Sequence, residues 1–384
     1  MDFTILVRFL IGLAFGFALV RGSIGFAGSV NRLYRTKSSK LAQTILYIFI
    51  LTAIFTAFII SGEESTYKLS IYPINLGLIL GGLMFGFGMA MSSCCATGSL
   101  TDLASGFSRA FVTIVFFSMG VFLGFSTQKE SLFVTDSYLS SVTGEQFQGG
   151  VFLPDLFKYD GFNGYLGAIL LTIVFSLALL YLAQKYEEKF HTNENVSELN
   201  PHKNSLLEKI FVKNWNMPVS ILFISSVFAF LLTYSHKGWG ASSALGIWFG
   251  KFVMLFGIEA ESLSAFSTKK ASLFSESLLT HAGSMQNIGI IFGAIVALTL
   301  AGVFKKSFIA GLKITPKGVV TFAFGGFIMG FGTRLSNGCN VGALYTPIAE
   351  FSLSGWIYLI FIVAGGFLGN MFVRRFISPT CSVV

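Results

Sequence analysis

The sequence predicts an all-α polytopic membrane protein: about nine transmembrane helices plus short re-entrant helices, in two halves that form an inverted repeat. Three observations carry this prediction. Mean hydropathy is +0.73. Only 11% of residues are charged, against about 25% in soluble domains. Finally, a twenty-residue glycine–cysteine signature occurs twice. Residues 81–100 read GGLMFGFGMAMSSCCATGSL and residues 325–344 read GGFIMGFGTRLSNGCNVGAL, at a constant offset of 244 with nine identities.

Crossing a bilayer takes roughly 20 apolar residues. Nine runs qualify, near 3–20, 41–60, 71–91, 105–125, 163–184, 216–235, 284–303, 318–336 and 354–373. Shorter runs at 22–31 and 239–256 are expected as re-entrant or surface helices. Met1, Asp2 and Phe3 supply no basic region, and no small-residue cleavage site follows, so the first run is expected to be retained. The halves are expected at 1–184 and 216–384, joined by a charged connection at 185–215.

The net charge of +8 could suggest nucleic acid in a soluble protein. Here the basic residues sit in alternate loops, which points to the bilayer and not to nucleic acid. Arg32, Arg35, Lys37 and Lys40 follow the first run, Lys305, Lys306, Lys313 and Lys317 separate the seventh and eighth, and Arg374 and Arg375 close the last. The positive-inside rule then places the N-terminus outside and the C-terminus in the cytoplasm.

In that topology 71–91 runs inward and 318–336 outward, so the two signatures are antiparallel. Inverted segments of this kind bring equivalent residues together near the midplane, and Cys95 and Cys339 are expected to face each other there. Gly81, Gly82, Gly86 and Gly88 let helix backbones approach, and the first helix is expected to break near Gly98, whose counterpart is Gly342. Broken helices at membrane depth line polar cavities or are buried in protein, and free N–H groups there favour an anion. Packing alone would also explain glycines, and a buried cysteine is often just a small hydrophobe. Duplication in register favours the functional reading.

Arg334, five residues before Cys339, either draws an anion inward or snorkels to the interface. Thr97 and Asn340 flank the cysteines as polar contacts, and Cys94 adds a thiol beside Cys95. Arg21 reads as a topology anchor, and Asp102 and Arg109 as a pair. His191 and His202 fall in the connection, His236 and His281 near the outer face. No HExxH or paired CxxC is present, so no metal or other cofactor is expected. Four cysteines, one of them Cys381 in the tail, make no disulfide framework.

At these residues the chain resembles the YeeE/YedE family of sulfur-compound transporters, nearest its YedE-like branch. The resemblance rests on Gly81-Gly82, Phe85-Gly86-Phe87-Gly88 and Cys95-Ala96-Thr97-Gly98 in the first copy. In the second it rests on Gly330-Phe331-Gly332-Thr333-Arg334-Leu335, Gly338-Cys339-Asn340 and Phe351-Ser352-Leu353, with 248–257 and 16–32 in support. Two departures stand out. The family's cysteine after the early arginine is Gly25 here, and Cys94 replaces a usual glycine. The resemblance implies an hourglass-like protein of the bacterial inner membrane. Its substrate would be a small sulfur-containing anion, most readily thiosulfate, passed between thiols and received by a cytoplasmic sulfur-carrier protein. It implies a transporter and not an enzyme. A selenium species or another sulfur oxyanion is an alternative cargo, and a membrane thiol–disulfide or sulfurtransferase enzyme an alternative class.

Overall fold

A computed structural model describes residues 3–190, 206–267 and 269–377 of the chain. His191, His202 and Cys381 lie outside the described residues, as does the stretch 191–205 of the charged connection. The described residues contain nine helices long and apolar enough to cross a membrane and no β-sheet, only two isolated bridges.

The elements that position the site are α1 (Phe3–Arg21), α2 (Phe26–Arg35), α3 (Lys40–Ile60), α4 (Leu76–Ser92), α5 (Ala96–Asp102), α6 (Phe107–Glu130), α7 (Tyr165–Lys189), α8 (Met217–Ser235), α9 (Ser242–Met254), α10 (Ala282–Leu300), α11 (Pro316–Leu335) and α12 (Leu353–Phe372). The apolar run beginning at 71 becomes helical only at Leu76. Asn75 is extended, and its side chain accepts the Leu78 N–H at 2.9 Å. Such a cap contributes about 1 kcal/mol. Thr315 caps α11 in the same way, with Pro316 opening the helix. The short runs 22–31 and 239–256 form α2 and α9, each following a spanning helix.

Glycines set the packing. α4 and α11 cross antiparallel: a Cβ on Gly81 would lie 2.7 Å from the Gly332 carbonyl oxygen, and one on Gly88 2.4 Å from that of Gly325. α4 also lies along α12, and α11 along α6. A Cβ on Gly86 of α4 would lie 2.1 Å from the Ile362 carbonyl of α12, and one on Gly330 of α11 2.1 Å from the Phe117 carbonyl of α6. The two signatures thus meet in a four-helix centre, α6–α11–α4–α12. In lipid, close van der Waals approach replaces the hydrophobic effect as the force that holds helices together.

Arg21 differs from its expected role. It is buried, and its guanidinium donates to the carbonyls of Val212 and Ala297. Trp215 N–H in turn donates to the Arg21 carbonyl at 2.8 Å. The residue ties α1 to α10 and to the entry of α8, and does not reach for the interface. Asp102 and Arg109 pair at 2.7 Å, as expected. His281 caps α10 through the Ser284 N–H, and His236 packs against Tyr67.

Candidate functional site

Both signatures end in the same elbow. The Ser92 hydroxyl lies 2.8 Å from the Gly88 carbonyl and 3.1 Å from that of Cys94. The Ser336 hydroxyl lies 2.9 Å from Gly332 and 3.2 Å from Gly338. Ser93 and Asn337 follow in the left-handed region, at φ 55° and 61°, an uncommon conformation for non-glycine residues. Cys95 and Cys339 are then extended, and their carbonyls accept from Ser99 N–H and Ala343 N–H at 2.7 and 2.6 Å. Every one of these pairs keeps the offset of 244.

The break therefore falls at Ser93–Cys95 and not at Gly98. The serine hydroxyl bridges a carbonyl of the last helical turn and one beyond the bend, and the first elbow turns without a glycine. Gly98 instead lies in the first turn of α5, and its N–H donates to Cys95 Sγ at 3.3 Å. The second elbow continues as a wide π-type turn, Asn340–Tyr345, a form enriched at functional sites.

A cavity of about 290 Å³ has Arg32, Asp102 and Ser105 at one end and Cys94, Cys95 and Gly98 along its wall. Cys95 and Gly98 also border a void of about 20 Å³, where Thr97 and Gly25 meet Trp239 and Val341. This narrow place joins the first elbow to a residue two positions beyond Cys339. Trp239 stacks on Phe15 with ring centroids 3.8 Å apart and forms the far wall. The Thr97 hydroxyl is buried without a partner, and such a group costs about 1–3 kcal/mol until it finds one. Cys339 is wholly buried.

Cys94 is held by its neighbours: Sγ lies 3.3 Å from the Ser92 carbonyl and accepts the Ser99 hydroxyl at 3.1 Å. Asn340 donates to Met89 Sδ at 3.3 Å, while its carbonyl oxygen is unpartnered. A Cβ on Gly342 would meet only the Gly240 Cα, at 4.0 Å.

Arg334 does not snorkel; it is 2% exposed. Its guanidinium donates to the hydroxyls of Thr333, Ser242 and Ser243 at 3.1, 2.7 and 3.2 Å, and it lies over the Phe125 ring at 5.2 Å. Lys269 Nζ sits 4.9 Å from the same ring. Among the described residues the one salt bridge is Asp102–Arg109, so no carboxylate balances this pair of cations. Burial, and then Arg334, push the Lys269 ammonium down to about 8. Sequence reading missed Trp239, Ser242, Ser243 and Lys269. The Gly238-Trp239-Gly240 triplet between two apolar runs was the available signal; the serines and the lysine carried none.

Gly25 has an extended φ of −149°, and a Cβ there would meet only the Gly28 nitrogen, at 3.9 Å. Gly25→Cys is accordingly expected to fold like the parent. Its thiol would face the Cys95 void and react with a small thiol reagent. Alkylation followed by mass spectrometry checks this, and a folded but unreactive variant would contradict the placement.

These features describe a multi-pass membrane protein with two like elbows packed at its centre, a build that suits a solute transporter. The sequence model described as sulphur transport matches residues 21–368, and the chain belongs to that family. Among its relatives is the thiosulfate transporter TsuA of Spirochaeta thermophila, 26% identical over 366 residues, with 93% of this chain and 95% of the relative covered. TsuA of Escherichia coli is 22% identical, covering 94% and 92%. The probable transporter YedE of Escherichia coli is 31% identical over 134 residues, covering 35% and 32%.

Proposed function

We propose that this protein imports thiosulfate, and that Cys95 and Cys339 hand the ion across the constriction. The observation that carries the reading is the twinned elbow, which gives both cysteines extended backbone after the same bend, with Cys95 and Val341 lining one narrow void. Similarity to two thiosulfate transporters over nearly the whole chain supports the cargo. In this reading the two signatures are the centres of an inverted repeat, with halves at 1–184 and 216–384. The face bearing Arg32 and the lysines is cytoplasmic. The 290 Å³ cavity is then the exit, where a sulfur-carrier protein receives the ion.

The chemistry suits transit. A thiol is a weak donor and a polarisable partner for sulfur, and conduction needs sites that release what they bind. Thr97 and Asn340 offer polar partners on either side of the step. Arg334 and Lys269 attract the dianion from the opposite face, and Cys94 and Gly98 line its way out. Gly342 keeps the second elbow slim beside Gly240. The ion leaves as it entered, so no bond is made or broken.

Uptake of sulfur-labelled thiosulfate tests this, in cells lacking other importers and at matched membrane levels. The parent should accumulate label, and Cys95→Ala and Cys339→Ala should each fall at least about tenfold, the effect of losing roughly 1.4 kcal/mol of contact in the transition state. Parent uptake that survives both substitutions would remove the thiols from the path. A well-inserted parent without uptake would reject thiosulfate. Label retained stoichiometrically on Cys95 or Cys339 would replace permeation by covalent sulfur transfer.

A further inference from the structure

A second cavity, of about 350 Å³, lies between α2, α3, α7 and α12, on the other side of Phe26 from the elbow void. Its wall is almost wholly hydrocarbon: Phe26, Leu46, Leu179, Leu359, Val363 and Phe367 are representative. It reaches inward to Met89 and Asn340. Leu182, at its rim, is 59% exposed on the outward side of α7, so the cavity opens sideways through the helix ring.

Its depth fits within one leaflet. Ala42 to Phe49 along α3, and Tyr186 to Leu179 along antiparallel α7, both line it. Each stretch is roughly 10 Å of helix at about 1.5 Å per residue, and one leaflet of hydrocarbon is about 15 Å. The shallow end is cationic and aromatic. Lys37 Nζ donates to Tyr186 Oη at 2.9 Å and lies within 5.3 Å of the ring centres of Tyr34, Tyr186 and Phe190. Glu187 of α7 is turned to the N–H and hydroxyl of Ser39, and among the described residues no carboxylate is in salt-bridge distance of Lys37.

We infer that this cavity holds one acyl chain of an anionic phospholipid from the leaflet at the basic face, with the phosphate beside Lys37. An unfilled void forfeits contacts on all its walls, and an apolar one does not fill with water. Beside a bilayer the available filler is a lipid chain, and the cation at the mouth selects its headgroup. The tip of the chain then touches Asn340 and Met89, so the lipid buttresses the second elbow from behind. This assignment stands whether or not thiosulfate is the cargo.

The test is native mass spectrometry of the full chain, released by mild detergent from vesicles of equimolar phosphatidylglycerol and phosphatidylethanolamine. The parent should retain one phospholipid, with phosphatidylglycerol enriched roughly fivefold, the preference that about 1 kcal/mol from one lysine supplies. Lys37→Gln should abolish the enrichment, and Ala183→Trp, which fills the cavity, should abolish retention. Equal retention by a folded Ala183→Trp, or a parent that keeps no lipid, would overturn the proposal. Should Ala183→Trp not fold, phosphatidylglycerol carrying a diazirine in its acyl chain decides on the parent. Labels on Leu46, Leu179 or Val363 support the seat. Labels confined to outward residues such as Phe58, Leu170 and Ile360 overturn it.

Discussion

Replacing Arg334 with methionine is expected to abolish uptake while leaving the protein folded. The guanidinium is buried among three hydroxyls and one ring, and among the described residues no carboxylate pairs with it. An unbalanced buried cation pays a desolvation cost of several kcal/mol, and an apolar side chain of similar volume is often neutral or stabilising there. The fold therefore gains little from this charge. A dianion gains much, because hydrogen bonds to a charged donor contribute about 1.5–3 kcal/mol, which is roughly a ten- to hundredfold effect on uptake. Arg334→Lys should retain part of the activity. Uptake and thermal unfolding, measured together, separate the roles: a variant that unfolds early with uptake lost in proportion would make Arg334 structural.

Lys269 gives the same site a pH dependence. Burial and Arg334 hold its ammonium at about 8 in the folded protein, below the ordinary 10.5. Its attraction for an anion is present below that value and declines as pH rises through it. Stability moves the other way. Between about 8 and 10.5 the unfolded chain binds more protons than the folded one, so stability rises with pH across that window. Uptake should thus fall between pH 7 and 9 as the unfolding temperature climbs, and Lys269→Gln should flatten both trends. A fall in uptake that persists in Lys269→Gln would assign it to another group.

Gly330→Val is expected to prevent accumulation of folded protein. A Cβ at that position would stand 2.1 Å from the Phe117 carbonyl oxygen, and backbone cannot swing aside as a side chain can. Overpacking a core costs typically 1–3 kcal/mol when side chains yield. Here α11 must separate from α6 along their whole contact, and the loss exceeds that range. Gly240→Ala is the control, since nothing lies within 4 Å of an added Cβ there. Membrane levels and size-exclusion profiles of the two variants read the difference; a monodisperse Gly330→Val would refute the packing.

The spans and the doubled elbow were legible in the sequence because both depend on local composition. Apolar length sets a helix in a bilayer, and Cys95 and Cys339 announce themselves by register. The position of the break was misread, at Gly98, because glycine is the usual breaker. The work is done by Ser92 and Ser336, whose back-bonding to carbonyls is invisible until the turn is built. Arg334 was recognisable as a buried charge, yet its partners Ser242, Ser243 and Lys269 come from segments about 65–90 residues away. Trp239 closes the void from a similar distance. Such encounters are set by the way helices stack, which no local pattern encodes.

The crossed packing of the signatures has a consequence for biogenesis. α4 and α6 leave the ribosome with backbone-deep grooves at Gly86 and at Gly120, a Cβ on which would lie 2.3 Å from the Phe327 carbonyl. Their fillers, α12 and α11, begin 261 and 186 residues further along the chain. α4 and α6 must therefore wait in the bilayer incompletely assembled. A chain truncated in the connection would present those open grooves to the quality-control proteases of the membrane, and they close only when α11 and α12 arrive.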